Sequence, residues 1–254
     1  AKRLKEFNMN SCAITDYGNM YGAVNFYNTM KANEIHPIIG YEAHLTFGSR
    51  FDRSASLEAG ERPYYNLILL AENVEGYYNL CYLASKAFSE GFHFKPRIDL
   101  EILAAKSRGL IALSSGFKGF LWHHLRDGDT EKAGRKLSLL GEIFDPEHFY
   151  VELQDHDLPE EKIVLEKIIN YARGNNLQCV VTNDAHYLSR EDAKAHELLL
   201  CIGEGKTIND GSRARFGSDK FYLRSPEEMW SLFGDGFSRE LLNTLKISEM
   251  CRFK

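Results

Sequence analysis

Val181-Thr182-Asn183-Asp184-Ala185-His186-Tyr187 is an apolar run that stops abruptly in amide, acid and imidazole side chains. Ala13-Ile14-Thr15-Asp16-Tyr17-Gly18-Asn19-Met20 does the same near the other end of the sequence. This is the look of a parallel β-strand whose carboxyl end delivers ligands into the mouth of a β/α barrel. Asp184 and His186 lie two positions apart, so on extended backbone they point the same way and could share one cation. Asp16 is followed instead by Tyr17, a poor companion for a metal. The pattern therefore predicts part of a metal site, with part of it absent.

Working outward, short β-branched and aromatic runs alternate with longer stretches of helical period. Strands are predicted at Ser11–Thr15, Ile38–Phe47, Tyr64–Ala71, Leu110–Ser114, Phe149–Leu153 and Cys179–Thr182. Helices are predicted at Tyr21–Ala32, Val74–Ser89, Thr130–Phe144, Pro159–Asn175, Arg190–Ile202 and Arg239–Met250. Asp157-Leu158-Pro159-Glu160 and Ser225-Pro226-Glu227-Glu228 both fit a capping box with proline in the first turn. Such alternation implies a parallel α/β architecture, either a barrel or an open doubly wound sheet. Gly48–Pro63 reads as a mobile loop, Gly203–Gly217 as a basic loop and Phe221-Tyr222-Leu223 as a short edge strand. No internal repeat breaks the chain, and one domain over residues 1–254 is the simpler reading.

Composition narrows the function classes. The apolar fraction of 44% and charged fraction of 26% are those of an ordinary globular protein. A net charge of −5 excludes a surface that is basic throughout, so any DNA contact must be local. Five scattered cysteines without a CxxC pair point to reduced thiols and a cytoplasmic setting. No apolar run approaches the roughly 18 residues of a membrane span. Ala1–Phe7 reads as an amphipathic helix with no capping residue ahead of it, and the chain is expected to be a fragment of a longer polypeptide.

Among candidate ligands, Asp184 and His186 are the strongest. Asp16 has similar geometry, balanced by the plainer reading of a turn-forming aspartate ahead of Gly18-Asn19. Glu42 lies inside an otherwise apolar strand, where a carboxylate must be paired, metal-bound or on a solvated face. His156 ends a strand next to a helix cap, which favours a structural turn. His123 and His124 are adjacent on a helix and do not face each other. Lys86, Lys95 and Arg97 could touch phosphate but read better as solvated charges. No nucleophile elbow, Walker A loop or dinucleotide fingerprint is present.

Taken together, the blocks Ala13–Gly22, Pro37–Glu42, Leu69–Leu80, Phe94–Ile98, Leu153–His156, Thr182–Leu188 and Phe221–Met229 resemble, in order, the PHP (polymerase and histidinol phosphatase) family. The version is that found in bacterial replicative DNA polymerase III α subunits. The resemblance covers essentially the whole chain. It implies a distorted seven-stranded β/α barrel with clustered metals at the strand ends. In intact members that cluster hydrolyses phosphoesters, and in some polymerases it proofreads as a 3′–5′ exonuclease.

The departures from the family pattern carry the functional expectation. The family's opening His-x-His strand is missing from this chain. Tyr17 stands where a metal-binding histidine is expected, Asn66 replaces another, and Gly116 falls where cysteine or histidine belongs. Asp16, Glu42, Asp184 and His186 survive as a vestigial set, with His156 near the site. A remnant of scattered ligands should bind metal weakly if at all, and Asp16, Glu42 and Asp184 should be held by hydrogen bonds among themselves, to His186 and to solvent. The expectation is a non-catalytic structural module without catalytic residues or a resident metal. By the same resemblance it would serve the remainder of a polymerase chain, meet DNA through that parent, and dock a separate proofreading exonuclease. The alternative is an active phosphoesterase or exonuclease using Zn or Mn. A stand-alone small-molecule phosphatase fits the polymerase-like blocks poorly. Nucleotidyl transfer with Mg would belong to a part of the parent outside this chain.

Overall fold

The computed structural model describes residues 1–54 and 60–252. Seven strands form one sheet: β1 (Ser11–Tyr17), β2 (His36–Thr46), β3 (Tyr65–Ala71), β4 (Arg97–Asp99), β5 (Leu110–Leu113), β6 (Phe149–Leu153) and β7 (Cys179–Val181). Their order is β1-β2-β3-β5-β6-β7, with β4 pairing β2 beyond the end of β1. The helices are α1 (Lys2–Glu6), α2 (Ala23–Ala32), α3 (Val74–Ser89), α4 (Leu100–Ala105), α5 (Phe120–Arg126), α6 (Thr130–Gly141), α7 (Pro159–Gly174), α8 (Ala193–Glu204), α9 (Pro226–Phe233) and α10 (Ser238–Met250). The sheet curls into a half-barrel compatible with a distorted β/α barrel, with β1 and β7 at its edges.

Residues paired in register share a face of the sheet. On the outer face Tyr41, Ala43, Leu45, Leu67, Leu69, Ala112, Val151 and Val181 are buried against the surrounding helices in the main core. On the inner face Ile38, Leu70, Ile111, Tyr150 and Val180 pack with Ile247, Met250 and Cys251 from the end of α10. That helix closes the apolar end of the half-barrel, and the His36 Nε2 contact to the Cys251 carbonyl, at 2.7 Å, fastens it. The opposite end of the inner face is polar. Burial on both faces explains why these strands read as near-continuous apolar runs.

One expectation needs correction. The sheet is not all parallel, because β3 runs antiparallel to both β2 and β5. Among the described residues no helix lies between β2 and β3, and adjacent strands joined without a crossover helix pair antiparallel. The start of β3 therefore lies beside the end of β2, which places Asn66 at the polar mouth.

Local differences have local causes. Ser225 and Glu228 do form the reciprocal capping box at α9. The box expected at Asp157 does not form, since Asp157 has φ +63° and its carboxylate accepts from Lys162 instead. Phe221–Leu223 makes only an isolated bridge, Tyr187 to Tyr222. The segment expected as a mobile loop, Gly48–Pro63, is pinned at its start: Arg50 binds Asp99 and Glu90, and Arg97 donates to the carbonyls of Arg50 and Asp52. Residues 55–59 of that loop lie outside the described residues. Arg97 is thus a buried tie, where the sequence suggested a solvated charge.

Candidate functional site

The polar mouth is built from alternate residues of the inner face. Glu42 and His44 come from β2, Asn66 from β3, Glu152 from β6, and Thr182 and Asp184 from the segment leaving β7. Tyr17 is in register with Glu42 and shares its face. Asp16 is in register with Tyr41 and so belongs to the opposite face, where its Oδ2 accepts the Gly22 N–H at 2.7 Å. Of the vestigial set, the structure brings Glu42, Asp184 and His186 to the mouth and leaves Asp16 behind the sheet, capping the approach to α2.

Glu42 is buried and held by neutral donors. Asn66 Nδ2 donates to Oε1 at 2.5 Å and Ser115 Oγ at 3.2 Å. Burial raises the Glu42 pKa, opposed by the nearby Lys118 charge and the Asn66 hydrogen bond. The Tyr17 ring meets the His44 ring edge-on at 4.5 Å. Burial, with Tyr64 alongside, pushes the Tyr17 phenol up to about 12, so it stays protonated at neutral pH. His44 is itself buried, with Nδ1 at 3.0 Å from the Pro96 carbonyl and no hydrogen-bond partner for Nε2. Burial lowers its pKa to about 4.

Across the mouth, Asp184 contacts His186 Nε2 at 3.1 Å through Oδ1 and Lys118 Nζ at 3.4 Å through Oδ2. Burial opposes its ionisation, but the His186 hydrogen bond and the Lys118 charge outweigh it, holding the carboxyl at about 2. Behind it, His156 is completely buried and stacked on Phe221 with ring centroids 4.0 Å apart. Its Nε2 accepts the Asp184 backbone N–H at 3.4 Å, so Nδ1 carries the proton donated to Glu161 at 2.8 Å. Both ring nitrogens are used in aiming the Asp184 backbone, which is a positioning task.

Glu152, Gln154 and Thr182 form a third group. Gln154 Nε2 donates to Thr182 Oγ1 at 3.0 Å, and Thr182 donates onward to Glu152 Oε1 at 2.8 Å. Glu152 Oε2 is buried without a partner. Burial is the main cause that lifts Glu152 to about 7, with Glu42 and Asp184 adding repulsion. Gly116, at φ +31°, leaves the space that the Gln154 amide fills; a Cβ there would fall 1.9 Å from Gln154 Oε1.

Glu152 and His44 escaped the sequence reading, although the signal was present. Glu152 is a carboxylate inside an apolar strand like Glu42, and His44 sits two residues along the same face. Lys118 had no such signal, because a turn rather than a strand period places it. The acids do not bond one another; of the expected partners His186 holds Asp184, while Lys118, the Asn66 amide, the Ser115 hydroxyl and the Gly22 N–H supply the rest. Among the described residues no three His, Cys, Asp or Glu side chains group so as to hold a metal ion. Glu42 is engaged by Asn66 and Ser115, and Asp184 by His186 and Lys118. His123 and His124 lie elsewhere, against Gly60 and Tyr65.

Comparison with known proteins matches residues 1–156 to the PHP domain model. The chain belongs to the PHP domain family. It is also 41% identical over 250 residues to the DNA polymerase III subunit alpha of Treponema pallidum, covering 98% of this chain and 21% of that one. The Thermus aquaticus subunit is 42% identical over 247 residues, covering 94% and 20% respectively. That of Helicobacter pylori strain J99 is 38% identical over 261 residues, covering 99% and 21%. The chain thus spans about a fifth of the length of the curated relatives it matches. Glu42, Asn66 and Gly116 fall inside the PHP match, while Asp184 and His186 lie beyond it but inside the span shared with the polymerase subunits.

Two outcomes follow for this PHP domain. Glu152 binds its proton more tightly folded than unfolded, so its contribution to stability is full below the ordinary glutamate range. That contribution is lost as pH rises towards 7, by roughly 3 kcal/mol over the window. In Glu152→Gln, melting temperature followed from pH 4.5 to 7 should lose that downward slope. Gly116→Ala should cost about 1–3 kcal/mol in urea unfolding, from the positive φ and the displaced Gln154 amide. An unchanged midpoint would mean that the turn adapts freely.

Proposed function

We propose that this PHP domain is a non-catalytic structural module of a cytoplasmic replicative DNA polymerase, and a docking surface for a separate proofreading exonuclease. The state of the mouth's acids carries this reading. Glu42 is hydrogen-bonded by Asn66 and Ser115, and Asp184 by Lys118 and His186, so the oxygens a metal cluster would use are already engaged by side chains. Ligand types are missing at Tyr17, Asn66 and Gly116, which sit on or just beyond three different strands. A multinuclear centre needs imidazoles and carboxylates together to offset repulsion between cations. The domain would meet DNA through its parent enzyme, whose nucleotidyl transfer with Mg lies outside these residues. The competing reading, a Zn- or Mn-dependent exonuclease, draws on the Asp184–His186 contact.

Metal content separates the two. After incubation with Zn and Mn and removal of free ions, the protein should retain less than about one molar equivalent. About two or more tightly held ions, lost in Asp184→Ala or His186→Ala, would sink the proposal and make proofreading by this domain the better account. The docking half is read by gel filtration with the proofreading exonuclease of the same organism: co-elution is expected, and independent elution at micromolar concentrations removes that part.

A further inference from the structure

We propose that Lys118 is a fixed cation that stands in for metal charge at the mouth, and that the glycine at 116 is what allows it to be delivered there. This rests on the reading that the domain works without a resident metal.

Three carboxyl groups face the mouth, Glu42 from β2, Glu152 from β6 and Asp184 from the segment after β7. Their mutual repulsion is evident, since Asp184 raises the pKa of Glu42, and both raise that of Glu152. Like charges gathered in a poorly solvated face must be neutralised or protonated. Lys118 enters this group from the turn after β5, the strand between β3 and β6. Its ammonium is 3.4 Å from Asp184 Oδ2, with side-chain exposures of 27% and 23%. It lies 5.4 Å from the centre of the Tyr17 ring and 5.3 Å from that of Phe117. An ammonium set over two aromatic rings and a carboxylate is not an ordinary solvated lysine. Its charge favours the ionised forms of both Glu42 and Asp184.

The route by which it arrives ties it to a lost-ligand position. After β5 the backbone turns through Ser115 at φ +60° and Gly116 at φ +31°, then makes one 3₁₀ turn, Gly116–Lys118. Any side chain at 116 would strain that turn and meet Gln154, whose amide is held by Thr182. The glycine at 116 and the cation at 118 are therefore parts of one structural device. It also spans the ends of β5 and β7, which do not pair with each other.

A double-mutant cycle tests the pairing in the intact protein. Lys118→Met keeps the length of the apolar stem and deletes the charge, whereas Lys118→Arg keeps a charge. Lys118→Met should lower the melting temperature by on the order of 3 °C or more, and Lys118→Arg by much less. In an Asp184→Asn background the loss from Lys118→Met should shrink to less than about half, because the unbalanced carboxylate is gone. A lysine that mattered only through packing would give a small and additive loss. Equal losses in the two backgrounds, a Lys118→Met protein as stable as wild type, or no rescue by arginine would each overturn the inference. If Lys118→Met alone does not fold, recovery of folding in the Asp184→Asn pair supports it, and failure to recover overturns it. Metal retained by the wild type would defeat the proposed function; an additive cycle in a metal-free wild type defeats only the role of Lys118.

Discussion

The architecture hangs on β2. Its eleven residues, His36–Thr46, pair with β1 and then β4 along one edge and with β3 along the other. A slip of one residue would send Glu42 and His44 to the helix-covered face and Tyr41 and Ala43 to the mouth, burying charge in the main core. The apolar pattern of this strand therefore holds the register, and the register decides which residues reach the mouth. Tyr17 and Asn66 lie beside Glu42 and His44 for that reason alone.

Electrostatics then sorts what the register delivers. In water the acids at the mouth would ionise freely; inside a curled sheet each must find a donor, a cation or a proton. The three take different routes. Glu42 uses amide and hydroxyl donors, Asp184 uses imidazole and ammonium, and Glu152 leans towards protonation. Three neighbours have a place in this arrangement: Asn66 is a donor to Glu42, Tyr17 is a ring beneath Lys118, and Gly116 is room for Gln154.

Much of this was legible in the residues. Strand and helix alternation is a matter of period, and it located every strand except the three-residue β4 and every helix of more than eight residues. The same period marked Glu42, Asp184 and His186, because a polar side chain ending or interrupting an apolar strand has few places to go. Direction was not legible: nothing in Tyr65–Ala71 states that it runs against its neighbours. Asp16 shows the limit of reading a strand end without its register, since one step along β1 exchanges mouth for exterior. Lys118 was invisible because left-handed backbone at Ser115 and Gly116, not a repeat, decides where it points.

The fastening between His36 and the Cys251 carbonyl joins positions 215 residues apart. Contacts so distant along the chain form late, after most of the loop entropy between them has been lost. On the ribosome β1 to β7 emerge before α10, so the apolar end of the inner face stays open until that helix has been made. Ile38, Leu70, Ile111 and Val180 form, for that interval, an uncovered greasy floor. Completion of the barrel base is thus an event in time, set by synthesis of α10.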